Sequence, residues 1–171
     1  MIGELFETMH ELHFLPELVN GCDFVLAVGE FMVPCAAIMV HVFDLGAREF
    51  VIVRASGPGA GKLLLCRTPH TDPLLAPLMR HTAARRIDAR GDTRFTGARW
   101  PLLGVTPEAA LLVPVVQAGR HLGAIELVNP DGGGGFHQNE AHGLEYVAEQ
   151  FAEFLAKRPI VLEADALRPQ S

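Results

Sequence analysis

Residues 111–128 restrict what this chain can become more than any other stretch. Leu111 to Val116 and Leu122 to Val128 are two apolar runs joined by Gln117-Ala118-Gly119-Arg120. Strands joined by so short a turn must pair antiparallel, because a parallel pair needs a long crossover. Apolar residues point to both sides of the resulting sheet, so both faces must be covered. Glu126 alternates with Ile125 and Leu127 and therefore faces away from that apolar pair. A carboxylate there either pairs with an arginine or points into a pocket.

The rest of the chain supplies the cover. Ile2, Leu5, Phe6, Met9 and Leu12 recur at helical spacing, with Glu4, Glu7 and Glu11 between them. A second helix is expected from near Pro16 to before Pro34, carrying Leu18, Val19, Cys22, Val25, Leu26 and Phe31. Ala36–Phe43 and Phe50–Val53 read as a hairpin across the turn at 44–48. Lys62–Cys66 reads as a third strand, Asp72-Pro73 as the start of a helix reaching Thr82, and Arg85–Asp88 as a short extended piece. Residues 89–106 form a long irregular loop. A last helix is expected from Gln138 to Lys157, with Leu144, Val147, Ala148, Phe151 and Leu155 as its buried stripe. The prediction is an α+β fold: an antiparallel sheet with the terminal helices on one face and the middle helix with the 89–106 loop on the other. Residues 1–158 make one domain and 159–171 a frayed tail.

Composition excludes several classes. The chain has 171 residues and a net charge of −6, which disfavours nucleic acid and anionic membranes as partners. The stretch from Met32 to Phe43 is too short to span a bilayer and is interrupted by Pro34 and His41. Cys22, Cys35 and Cys66 form no CxxC pair, which argues against a disulfide framework and fits a cytoplasmic location.

The segment Leu112-Val113-Pro114-Val115, then Gly119, Leu122 to Asn129, Phe136, Glu140 and Leu144 to Gln150, resembles the C-terminal half of a GAF domain. Arg86-Ile87-Asp88-Ala89 and Asp92-Thr93-Arg94-Phe95 are similar to an upstream segment of that family. The resemblance runs from about Glu4 to Lys157. It implies a small-molecule sensor of signalling proteins, with the ligand between the sheet and the 89–106 loop. Pro130 and Glu140 stand where cyclic-nucleotide-binding members carry lysine and aspartate. The ligand and any cofactor therefore go unnamed.

Candidate ligand-binding residues are Arg67, Phe95, Trp100, Leu103 and Glu126. Trp100, the only tryptophan, suits an aromatic lid over a planar ligand; the plainer alternative is that it caps the sheet. Residues 80–100 hold six arginines and two aspartates, a net +4 against −10 for the remainder. They either meet an anionic ligand or acidic partner or form a self-paired surface. Ser56 to Lys62 lacks the first glycine and the final hydroxyl of a phosphate loop. His137 and His142 are five residues apart, the wrong spacing for a shared metal face, and no metal site is expected.

The expected function is non-enzymatic: a regulatory domain binding a small molecule, acting on a signalling partner in trans or as part of a larger regulator. One alternative is a ligand-free scaffold for dimerisation or protein contact. Another is a thiol-dependent free methionine sulfoxide reductase, a chemistry built on GAF folds, for which Cys66 lacks a resolving partner in the following chain. A homodimer through the terminal helices is expected, because Tyr146, Phe151 and Phe154 add apolar surface beyond a narrow stripe.

Overall fold

The computed structural model describes residues 2–168; the end of the expected tail, residues 169–171, lies outside them. Six strands form one antiparallel sheet in the order β3-β2-β1-β6-β5-β4. They are β1 (Cys35–Asp44), β2 (Glu49–Ser56), β3 (Arg67–Pro69), β4 (Arg85–Asp88), β5 (Ala109–Gln117) and β6 (Arg120–Pro130). The β5–β6 hairpin turns at Ala118 and Gly119, both with positive φ, as a tight two-residue turn requires. Strand β6 lies at the centre, flanked by β1 and β5.

The face carrying Ile38, Val40, Val113, Ile125 and Leu127 is covered by helices α1 (Ile2–His10), α2 (Leu18–Met32) and α5 (Gln138–Ala156). Helix α5 starts with a capping box in which the His137 N–H donates to Glu140 Oε1 at 2.8 Å. Glu140, which departs from the cyclic-nucleotide pattern, is thus a helix cap. The other face, with Met39, Ile52, Ala110, Leu112 and Ala124, is covered by Leu63, Leu74, Leu75, Leu78, Trp100 and Leu103. The two-sided cover read from the hairpin is what the chain builds.

Several local expectations are corrected. The third strand is Arg67–Pro69, and residues 60–63 are instead a helical turn, α3 (Ala60–Leu63). A left-handed Leu65 at φ 66° redirects the chain between them. Asp72 opens no α-helix. Its Oδ2 accepts from the N–H groups of Leu74 and Leu75 at 3.0 and 3.2 Å, closing a tight turn. A 3₁₀ segment, Ala76–Arg80, follows, with Pro77 lacking the N–H a longer helix would need. Within the 89–106 loop lies one helical turn, α4 (Arg99–Leu102).

The chain past Pro159 does more than fray. Leu162 packs against the helix-side core, and helix α6 (Ala164–Leu167) buries Leu167. Arg54 fastens it, donating to the Leu167 carbonyl at 2.6 Å and to Asp23 Oδ1 at 2.5 Å. Phe151 and Phe154 are fully buried within the chain. Phe154 lies against Gly21 of α2, so this part of the apolar surplus is taken by α2 and leaves none for a partner.

A Cβ added at Gly21 would lie 2.1 Å from the Phe154 ring. Gly21→Ala is expected to lower stability by about 1–3 kcal/mol through overpacking. Combining it with Phe154→Leu relieves the overlap, so the two losses fall short of additivity in urea unfolding.

Candidate functional site

Glu126 sits at the middle of the central strand, facing the loop layer. Its ladder neighbours are Met39 on β1 and Leu112 on β5. The apolar sheet that makes the fold stable thus surrounds a carboxylate with no access to water. An ionised carboxylate there requires a counter-charge and hydrogen bonds.

Both come from elsewhere in the chain. Arg99, on the α4 turn, donates from Nε to Glu126 Oε1 at 2.8 Å and from Nη2 to Oε2 at 2.9 Å, a bidentate pair. Its two terminal nitrogens also donate to the Asp72 carboxylate, both at 3.3 Å. His41 Nε2 donates to Glu126 Oε1 at 2.5 Å; facing a carboxylate oxygen, this nitrogen carries the proton. Arg99, Glu126 and His41 are fully buried, and Asp72 is 5% exposed. The Trp100 ring lies 4.6 Å from the guanidinium carbon, and Phe95 packs edge-on against Trp100 at 4.7 Å. Two of this site's buried polar atoms, His41 Nδ1 and Trp100 Nε1, have no partner among the described residues.

Burial alone would push the Glu126 carboxyl up. The charge of Arg99 and the hydrogen bonds from Arg99 and His41 outweigh it and hold the group down to about 2. Burial would likewise lower Arg99, but Glu126 and Asp72 raise it above the ordinary arginine value.

Four of the five expected site residues share this face: Phe95, Trp100, Leu103 and Glu126. Arg67 does not. It lies on β3 at the far end of the sheet, 40% exposed, clasping Asp44 at 2.9 Å and Glu49 at 3.2 Å. Of the two fates open to Glu126, pairing with arginine is realised. Two of the window's six arginines pair inside it, Arg90 with Asp88 and Arg94 with Asp92, while Arg99 reaches out of it to Glu126 and Asp72.

Arg99, Asp72 and His41 as a group escaped the sequence reading. Period-two alternation places His41 on the face of Met39 and Phe43, which was the available signal. Nothing local announces that Arg99 or Asp72 meets Glu126.

The space between loop and sheet is filled by Arg99, Trp100 and Leu103. A Cβ at Gly59 would meet the Leu102 carbonyl at 1.8 Å, so only glycine lets α3 approach α4 so closely. A groove of about 590 Å³ lies elsewhere, between α5 and the β5–β6 turn, lined by His142, Glu145, Tyr146 and Glu149 among others. Among the described residues no group of three or more His, Cys, Asp or Glu is placed to hold a metal ion. No described helix is long and apolar enough to cross a membrane.

Glu126→Gln keeps the shape and removes the charge, leaving Arg99 with Asp72 alone as its carboxylate partner. We expect a loss of about 3–5 kcal/mol. The pH dependence follows from the depressed acid: its stabilisation is full above the ordinary value of 4.5 and disappears as pH falls through about 2. Wild type therefore loses stability relative to Glu126→Gln across that window, as denaturant unfolding at stepped pH will read.

The sequence pattern of the GAF domain family matches residues 19–155. No curated protein matches the chain. Among solved structures, the GAF domain of a phosphoenolpyruvate-protein phosphotransferase from Coxiella burnetii is 18% identical, with a TM-score of 0.78 over 91% of this chain and 92% of that one. The corresponding domain from Acinetobacter is 13% identical, with a TM-score of 0.77 over the same 91% and 92%. The GAF-B domain of DevS from Mycobacterium smegmatis is 22% identical, with a TM-score of 0.60 over 77% of this chain and 88% of that one. The family pattern covers most of the chain, and the fold matches those domains over 77–91% of its length, so this chain belongs to the GAF domain family.

Proposed function

We propose that this domain is a non-enzymatic regulatory sensor whose small-molecule site lies between the sheet and the 89–106 loop. The observation that carries the reading is how that loop is fastened. Its buried charged anchor is Arg99 on Glu126 and Asp72, within a layer built of turns and short helical pieces. Besides this the loop has a single backbone tie to the α3 turn, the Gly59 N–H on the Leu103 carbonyl at 3.0 Å, so it opens without unpicking the sheet, whereas α5 cannot leave its face without exposing Leu144, Val147 and Phe151. The structure is then the closed form, with Arg99, Trp100 and Leu103 as its contents. A ligand preferring the open form shifts the population and moves the loop.

The thiol-enzyme alternative is poorly supported. Burial pushes Cys22 up to about 12 and Cys35 up to about 11, and it raises Cys66 as well, so all three disfavour the reactive thiolate. The cysteines are free, in keeping with a cytoplasmic setting.

A second reading, a ligand-free scaffold, is favoured by the filled interior and by exposed Phe6, Phe14 and Phe31. Pairing through the terminal helices would use Phe6, which stacks on Tyr146 at the α1–α5 seam. Output through a partner in trans fits either reading.

Thermal-shift measurements across amines, guanidines, amino acids, oxo acids and cyclic nucleotides separate the two, since a ligand of the native state raises Tm. Under the sensor reading, an active compound changes Trp100 emission, and Trp100→Phe weakens it by at least about 1 kcal/mol. No response in any class leaves the scaffold reading. Light scattering at tens of micromolar is expected to give a dimer, and Phe6→Glu to give a monomer.

A further inference from the structure

We propose that the site's natural ligand is a small organic cation, a guanidinium or primary amine, that takes the place of Arg99 on Glu126 and Asp72. This inference rests on the sensor reading above and adds the ligand's chemical class.

The argument begins with charge. Any opening that carries Arg99 away leaves two carboxylates facing a layer of Met39, Ile52, Leu74, Leu75 and Leu112. Buried carboxylates without a cation are strongly unfavourable, so the open site selects a positive occupant. An anion would add a third negative group to the two that already take four of the arginine's hydrogen bonds. The same geometry recommends a guanidinium or amine: the floor presents both oxygens of Glu126 and both of Asp72 within 2.8–3.3 Å of the present occupant.

Two further observations point to a ligand with more than a charge. His41 Nδ1 and Trp100 Nε1 are buried without partners. With the proton on Nε2, His41 Nδ1 offers an acceptor, and the indole N–H is a donor. Arg99 uses neither. A compound bearing a cation with an added donor and acceptor makes bonds that Arg99 does not, which is what it needs to outcompete a tethered side chain. Gly97 marks how closely the occupant fits: a Cβ there would lie 2.6 Å from Arg99 Nη1 and 3.0 Å from Asp72 Oδ1.

The test has two arms. In the first, Arg99→Ala is melted with ethylguanidinium, which replaces the deleted side-chain end, or with neutral ethylurea of similar shape. Millimolar ethylguanidinium is expected to restore most of the lost Tm and ethylurea little; equal effects overturn the proposal. In the second, wild type is titrated with L-argininamide, whose guanidinium comes with an amide donor and acceptor. Trp100 emission should change and Tm should rise, with about tenfold weaker binding in Glu126→Gln. If Arg99→Ala does not fold, this arm decides alone, and a flat titration overturns the proposal. Rescue of the variant without any wild-type response makes Arg99 a permanent structural group and also overturns it. A wild-type response confined to formate, phosphate or cyclic nucleotides refutes the cationic class and leaves the sensor reading standing. Silence toward every class removes both.

Discussion

One carboxylate in the middle of an apolar sheet governs the loop face of this domain. Glu126 is buried on the central strand, and its charge obliges the chain to bring a cation to it. Arg99 meets that need from a segment 27 residues earlier, and Asp72 accepts two further hydrogen bonds from the guanidinium. Asp72 in turn holds the 72–75 turn by accepting two backbone N–H bonds. The path of the chain over this face follows from where a single charge must be neutralised.

The two faces of the sheet solve the same problem differently. The helical face is sealed by apolar stripes of α1, α2 and α5, with close backbone approach at Gly21 allowing Phe154 to be buried. Such a layer is cooperative and resists local opening. The loop face mixes leucines with an ion network and turns, so its order is concentrated in a few side-chain bonds. Under the proposed sensor reading this asymmetry has a use: one layer keeps the fold while the other exchanges its contents.

The outcome for the arginine-rich window shows how formal charge misleads when geometry is unknown. Arg90 and Arg94 are neutralised by aspartates two residues away, on the surface. Arg99, equivalent to them in composition, is fully buried. Counting charges along the chain cannot separate these fates, because the distinction is which way α4 turns its side chains once Leu103 and Trp100 are packed.

What the sequence determined by itself were the features carried by local periodicity. The antiparallel hairpin at 111–128, the opposite orientations of Glu126 and Ile125, the stripe of α5 and the need to cover both faces all follow from spacing and the extent of apolar runs. Short segments escaped. Lys62–Cys66 has strand-like composition, yet the third strand lies at Arg67–Pro69, because Leu65 takes a left-handed turn and the α3 turn packs against α4. Asp72-Pro73 has a helix-start pattern, but its carboxylate is needed by Arg99 and by a tighter turn. Only the tertiary structure decided that Arg99, Asp72, His41 and Glu126 meet. They come from four separate segments, and their attraction depends on the water-free interior that exists only once the layers have closed.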